Sequence, residues 1–280
     1  MILLADSGST KTHWYYGEKE THFPLISTHG VNPFLQDREE IVRVLNQELI
    51  TQLPSDCSID QIFFYGAGCT PQKSVLVKEC LSTSFPKAKT IEVTSDLVGA
   101  ARSLCQHQPG IACILGTGSN SCAYDGQQIT QNISPLGFIL GDEGSGSVLG
   151  RTLLGDCLKK QLPEDIIQHF FLTYQLTAEQ ILNKVYRESM PNRFMASLTP
   201  FLSAHRDRPE IHHLLVEQFT RFFQRNVMQY DYKQLPIHLT GSIAWYFQEE
   251  VTEAAQNLGL HLGKFLQSPI EGLIRYHGME

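Results

Sequence analysis

The stretch Ile2-Leu3-Leu4-Ala5-Asp6-Ser7-Gly8-Ser9-Thr10-Lys11-Thr12-His13-Trp14-Tyr15-Tyr16 decides the fold class. Ile2 to Ala5 is an apolar, strand-forming run that ends at a carboxylate. Thr12 to Tyr16 is a second run, rich in β-branched and aromatic residues, and the small polar residues between them read as a hairpin turn. The same order returns at Ile111 to Leu115, Gly116-Thr117-Gly118-Ser119 and Ser121 to Tyr124, with Asp125-Gly126 as a further hairpin turn. The pattern restarts after Gln106-His107-Gln108-Pro109-Gly110, which predicts an internal duplication.

Between the two copies the spacing predicts a third strand at Pro24 to Thr28 and a helix that starts at a capping box. Asp37 and Glu40 form the box, and Ile41, Val44, Leu45 and Leu49 fall on one face. A strand at Gln61 to Tyr65, a helix near Gln72 to Ser84, a strand at Thr90 to Val93 and a helix from Asp96 to Cys105 follow. Three strands and then alternating helices and strands make a mixed α/β sheet. From Pro163 to Tyr230 the chain reads as helical. Thr177 with Gln180 is a second capping box, and Ile211, Leu214, Leu215, Phe219, Phe222 and Phe223 form an apolar stripe expected to pack in a core. A last strand, Ile237 to Thr240, runs into Gly241-Ser242 and a helix to about Leu258, and Pro269 opens a short closing helix.

With 22 Lys+Arg against 29 Asp+Glu the 280-residue chain carries a formal charge of −7, which excludes a nucleic-acid-coating role. At 42% hydrophobic residues it builds real cores and is not disordered. Its seven cysteines show no CxxC pair and no Cys/His metal spacing, as expected for reduced thiols in the cytoplasm. Met1 to Ala5 is too short and lacks the basic start of a signal peptide, and no apolar run reaches the roughly 18 residues of a membrane span. The partners expected are therefore small molecules, with no membrane and no nucleic acid.

Neither GxxxxGK(S/T) nor a helix-opening GxGxxG occurs, so P-loop and dinucleotide readings fall away. Three small-residue turns remain, each after an apolar strand: Asp6 to Lys11, Gly116 to Ser119, and Thr240-Gly241-Ser242. Glycine admits the dihedrals that turn backbone N–H groups toward phosphate oxygens, and Ser9, Thr10 and Thr117 add hydroxyls. One such turn is usually a hairpin and no more; three point to phosphate. Asp6 is placed for a magnesium ion that keeps most of its waters. Lys11 reads equally as a phosphate contact or a solvated hairpin charge. His212-His213 lack a ligand set, and Trp14 and Trp245 are expected to pack.

Asp6-Ser7-Gly8-Ser9-Thr10-Lys11-Thr12, Gly116-Thr117-Gly118-Ser119-Asn120, Gly141-Asp142-Glu143-Gly144-Ser145 and Leu239-Thr240-Gly241-Ser242 follow a known order and spacing. In this the chain resembles the N-acetylglucosamine kinase family of the sugar kinase, Hsp70 and actin superfamily over nearly its whole length. One motif departs: the family often reads Gly-Gly where this chain has Thr240-Gly241. The resemblance implies an α/β protein of two RNase H-like (actin-like ATPase) domains with a nucleotide cleft between them. The expected domains are 1–107 plus 269–280, and 108–268 with a helical insertion.

It further implies that Ser9, Thr10, Lys11, Gly116, Thr117 and Gly118 hold the phosphates of ATP, with Gly241 and Ser242 near adenosine. Asp96 matches the catalytic aspartate that takes the proton of an acceptor hydroxyl. Asn32, Asn120, Asp142 and Glu143 match sugar-gripping positions, and Asp6 the magnesium site, through water. Read without the resemblance, Asp96 is an N-cap, Asn32 a turn residue, and Asp142 or Glu143 a helix cap.

The implied activity is ATP-dependent phosphorylation of the primary hydroxyl of an amino sugar. N-acetylglucosamine is the first expectation, with N-acetylmuramate or glucosamine next, ATP and Mg²⁺ as cofactors, and a homodimer left open. The alternative is an ATPase activator of an iron–sulfur enzyme of the benzoyl-CoA reductase or 2-hydroxyacyl-CoA dehydratase type, which needs cysteines at a dimer face. A sugar-responsive regulator would carry an added DNA-binding domain, for which the expected layout leaves no segment.

Overall fold

The computed structural model describes residues 1–8, 10–18, 24–55 and 57–279. Ser9 of the first turn therefore lies outside the described residues. The strands are β1 (Ile2–Ser7), β2 (Lys11–Gly17), β3 (Ile26–His29), β4 (Gln61–Gly66), β5 (Thr90–Ser95), β6 (Gly110–Leu115), β7 (Ser119–Tyr124), β8 (Ile129–Asn132), β9 (Ile237–Thr240) and β10 (Leu262–Leu266). The helices in chain order are α1 (Arg38–Arg43), α2 (Ser74–Ser84), α3 (Asp96–Cys105), α4 (Gly137–Leu140), α5 (Gly146–Leu158), α6 (Glu164–Tyr174) and α7 (Ala178–Tyr186). They continue as α8 (Pro191–Ala196), α9 (Thr199–Ala204), α10 (Pro209–Arg225), α11 (Ser242–Tyr246), α12 (Gln248–Asn257) and α13 (Ile270–Tyr276).

The chain divides into two compact units. Met1–Pro109, Tyr124–Ile129 and Ser268–Glu280 form the first, and Gly110–Ala123 with Thr130–Gln267 the second. Each is built on a five-stranded sheet, in the orders β3-β2-β1-β4-β5 and β8-β7-β6-β9-β10. Adding five to every number in the first order produces the second, so the repeated strand, turn, strand pattern extends to whole sheets. In the first sheet β2 is antiparallel to β1 and β3, while β1, β4 and β5 run parallel. In the second, β6, β9 and β10 run parallel. Both sheets bear helices, and the fold is the α/β actin-like ATPase class.

Burial follows the period-two alternation of a strand. In the first unit Leu3 and Ala5 face a core with Trp14, Ile41, Leu45, Ile62, Phe64 and Val77. Leu4 points to the other face and meets Tyr15, Tyr65, Ile270 and Leu273, so α13 covers that side. The second unit buries Ile111, Cys113 and Leu115 against Leu149, Leu153 and the α10 stripe, whose six predicted residues all lie inside.

Both capping boxes form as expected: the Asp37 and Thr177 side chains accept from the N–H of Glu40 and Gln180, whose side chains return to the cap backbone. Three local expectations are corrected, and one strand, β8, had no expectation. Ile237–Thr240 is not the last strand, because β10 follows; its Gly263-Lys264 bulge interrupts the alternation that marks a strand. β8 is mostly exposed and polar and left no apolar signal. The third strand begins at Ile26, not Pro24, since proline has no N–H to give the ladder. The helix after Gly241 breaks at Phe247 into α11 and α12.

Candidate active site

Asp6 stands near the C-terminal end of β1, and Asp96 directly follows β5. In the ladder Asp6 pairs with Tyr65 of β4, and Tyr65 with Thr94, so two parallel steps bring the carboxylates to the same sheet edge. At about 4.8 Å per step their backbones are roughly 10 Å apart. The N-cap of α3 is Ser95, whose hydroxyl accepts from Val98 N–H, so the bland reading of Asp96 as the cap fails and its side chain is released from that duty. One carboxylate oxygen accepts instead from Leu97 N–H at 2.9 Å.

Burial pushes the Asp96 carboxyl up to about 6, against the lowering pull of the backbone N–H groups of Leu97 and Asp96 itself. Asp6 is pushed up to about 7, first by burial and then by the charge of Asp96, while a hydrogen bond from Ser268 works the other way. No cationic side chain among the described residues offsets either shift. A pair of acids poised near neutral pH at a strand-end edge marks a functional site.

The first turn is a tight hairpin, with Gly8 N–H donating to Lys11 C=O. Thr10 is exposed and its C=O accepts from Gly30 N–H, and Lys11 is exposed as the first residue of β2. Buried Ser7 and Thr12 lie 2.6 Å apart at their hydroxyls, and Val31 N–H donates to Ser7 Oγ at 3.0 Å. That network ties the turn to the Gly30-Val31-Asn32 loop. Asn32 is buried; its side-chain oxygen accepts from Phe34 N–H and its backbone N–H donates to Gln36 Oε1, so the expected turn forms.

In the second unit, β6 and β9 are parallel neighbours, which sets the Gly116 to Ser119 turn beside Gly241 at one edge. Gly241 has φ of +108°, and a Cβ there would fall 2.3 Å from Leu115 O; glycine is required at this position. Thr240 remains in the strand with its side chain buried, so the departure from Gly-Gly falls on the strand and leaves the positive-φ position to Gly241. The amino end of α5 seats on the Gly116 to Ser119 turn, with Gly146 N–H donating to Gly116 O and Ser147 N–H to Thr117 O.

The cap of α5 is Ser145, not Asp142 or Glu143. Asp142 is buried with φ of +55°, accepts from Ser119 N–H at 3.3 Å and lies against Gly118. Burial, helped by the charge of Glu143, pushes its carboxyl up to about 6. Glu143 has both oxygens engaged, by Arg225 Nε at 2.5 Å and Asn226 Nδ2 at 3.3 Å. Asn120 lies in β7, not in the turn, and its oxygen accepts from Ser121 N–H and Asn132 Nδ2.

Beside Ser242 opens a cavity of about 560 Å³, lined by Thr199, Pro200, Ser203 and Ala204 with Ile243, Tyr246 and Phe247. The α9 side of this wall was not legible in the sequence, because no motif links it to Gly241. Trp245 does not pack as expected; it is 40% exposed, since α11 is one short turn and buries only Ile243 and Ala244. Trp14 is fully buried and donates to Thr28 Oγ1. His212 pairs with Glu253, and no cluster of three or more ligating side chains exists among the described residues.

These strand-end turns on duplicated sheets define the actin-like ATPase class. No family model matches the chain. It is 30% identical over 211 residues, 71% of its length, to an N-acetylmuramic acid/N-acetylglucosamine kinase of Clostridium acetobutylicum, of which it covers 68%. The crystal structure of a candidate N-acetylglucosamine kinase from Porphyromonas gingivalis is 48% identical with a TM-score of 0.96, over 99% of both chains. A ROK family glucokinase from Streptomyces griseus, in complex with glucose and AMPPNP, shares the fold at 11% identity and a TM-score of 0.64, over 98% of this chain and 97% of that one. The chain belongs to the N-acetylglucosamine kinase family, a family of ATP-dependent sugar kinases.

Proposed function

We propose that the protein transfers the γ-phosphoryl group of ATP to the primary hydroxyl of an amino sugar, N-acetylglucosamine first, with N-acetylmuramate or glucosamine next. The observation that carries this reading is the uncompensated carboxylate pair Asp6 and Asp96 at one strand-end edge. The Clostridium relative, an N-acetylmuramic acid/N-acetylglucosamine kinase, and the Porphyromonas structure, of a candidate N-acetylglucosamine kinase, support the choice of sugar.

In the proposed mechanism the sugar oxygen attacks the γ-phosphorus as the bond to the β,γ-bridging oxygen breaks and ADP leaves. Asp96 accepts the hydroxyl proton late in the step. A carboxyl near 6 is a far better base at neutral pH than an ordinary aspartate. Backbone N–H groups of the two glycine turns, with Thr10, Lys11 and Thr117, receive the phosphates, and Gly241, Ser242 and the adjoining cavity receive adenosine. The two domains proposed are 1–107 plus 269–280, and 108–268; the compact units differ from them by one or two residues at these boundaries and by placing Tyr124–Ile129 with the first.

Asp6 fits a hydrated magnesium ion: one anionic side chain, with no cluster of three or more ligating side chains among the described residues, suits a cation that keeps most of its waters. When bound, Mg²⁺ supplies neutralisation of the β- and γ-phosphate charge. Asn32, Asn120 and Asp142 are the sugar contacts; Glu143 serves instead to anchor the loop through Arg225 and Asn226. The iron–sulfur activator reading draws no support from the cysteines, six of which are buried. No helix among the described residues is long and apolar enough to cross a membrane. A cytoplasmic location and a homodimer belong to the proposal.

The test is coupled ATP consumption with magnesium across N-acetylglucosamine, N-acetylmuramate, glucosamine, N-acetylmannosamine and glucose, with a control lacking sugar. Turnover is expected only with an amino sugar. Turnover independent of sugar would replace the kinase by an ATPase activator.

A further inference from the structure

We infer that Ser268 is a positioning residue for Asp6, holding one oxygen of that carboxylate so that the other is presented to the hydrated cation of a metal–nucleotide complex. The inference rests on the kinase reading above. Ser268 Oγ donates to Asp6 Oδ2 at 3.3 Å and lies 3.4 Å from His13 Nδ1, the ladder partner of Asp6 on β2. Its oxygen also accepts from Ile270 N–H at 3.4 Å, which orients the hydroxyl from below. One carboxylate oxygen of Asp6 is thus committed to a neutral donor while the other has no donor among the described residues, and that asymmetry fixes the rotation of the carboxylate plane.

Ser268 is 262 residues from Asp6 in sequence, yet its place is rigidly determined. It immediately precedes α13, whose Ile270 and Leu273 are fully buried against Leu4, Tyr15 and Tyr65. Helix α13 packs tightly on α3: a Cβ at Gly272 would fall 2.4 Å from Ser103 O, and Gln106 Nε2 donates to Gly272 O at 3.0 Å. At the far end His277 Nε2 and Tyr65 Oη lie 2.9 Å apart. Asp96 begins α3, so one packed helix pair brings both Asp96 and Ser268 to Asp6. The hydroxyl thus does two things at once: its oxygen accepts from Ile270 N–H at the start of α13, and its proton goes to the Asp6 carboxylate.

The experiment uses the full chain and three variants, S268A, S268C and S268T, with AMPPNP as the probe. Isothermal titration calorimetry with Mg²⁺ is expected to show S268A binding about 3- to 10-fold more weakly than wild type, as for loss of one hydrogen bond to a carboxylate. With EDTA in place of Mg²⁺ the AMPPNP affinities of S268A and wild type should agree within about twofold, since phosphate and base contacts are untouched. The Mg²⁺ concentration giving half-maximal sugar-dependent turnover should rise by the same factor, with the sugar KM unchanged, and S268T should restore both. S268C, a weak donor of similar size, moves the same way and serves if S268A is poorly folded. Equal weakening with and without Mg²⁺, or no change in either, overturns the assignment. Wild type that consumes ATP without sugar refutes the kinase reading separately, because the calorimetric comparison needs no turnover.

Discussion

Replacing Asp96 by Asn should disable the enzyme and stabilise it. Moving that carboxyl from an ordinary 3.8 to about 6 makes its ionised form about 3 kcal/mol less favourable in the folded chain than in the unfolded one. The residue as a whole is half-buried, and discounting for solvent screening brings the realised penalty to about 1–2 kcal/mol. Asn retains an oxygen to accept from Leu97 N–H, but loses the anionic charge at the start of α3, worth about 0.5 kcal/mol. It also removes the charge that helps push up Asp6, a gain in the same direction as the main effect. The net expectation is a D96N protein about 1 kcal/mol more stable at pH 7.5.

The sign follows from the direction of the shift. A carboxyl whose folded pKa lies above its unfolded one carries no penalty below about 3.8, a growing one between 3.8 and about 6, and the full one above. Urea unfolding of both proteins should therefore show the D96N advantage at pH 7.5 and about a third of it at pH 4.5. Turnover should fall at least 10²-fold, with sugar binding kept within about tenfold. Equal or lower stability at pH 7.5, or an advantage that does not change with pH, would refute the claim that burial raises the Asp96 carboxyl.

Other sites make sharper local tests. Ser95→Ala removes the cap one residue before Asp96; it should cost about 1 kcal/mol in thermal unfolding and lower kcat more than it raises KM. Glu250 is 2% exposed and grips Arg206 through both oxygens, at 2.8 and 2.6 Å; Glu250→Ala should cost about 3 kcal/mol by urea titration, and a loss under about 1 would reduce the pair to a surface bridge. Gly241→Ala meets Leu115 O in an unfavourable φ region; it should cost about 2 kcal/mol or more and raise the KM for ATP, visible in melting curves and steady-state kinetics together. Asp142→Asn should raise the sugar KM about 10- to 100-fold, while Glu143→Gln acts mainly on stability; the reverse result would exchange their roles.

The elements with strong local signals were legible before any coordinates. The helix from Asp96 to Cys105 and the strand Ile237 to Thr240 lie where periodicity put them, and both capping boxes close. Segments whose order comes from neighbours were not. β8 is an exposed polar strand held by its ladder, and β10 carries a bulge. The same division runs through the site. Small residues after apolar runs announced the strand-end turns, because the backbone conformations they need are local. Whether Ser95 or Asp96 caps α3, and whether Asp142 or Glu143 faces the glycine turn, depends on side-chain partners that no spacing encodes.

The sequence by itself determined the duplicated strand, turn, strand plan, the small-residue turns that end its strands and the aspartates available for chemistry, since these follow from propensity, glycine geometry and residue type. Tertiary structure alone decided which carboxylates titrate near neutrality, and that a serine 262 positions away should hold one of them. Burial and through-space charge set a pKa, and long-range packing of α13 on α3 sets a distance; neither quantity is a property of a residue and its chain neighbours.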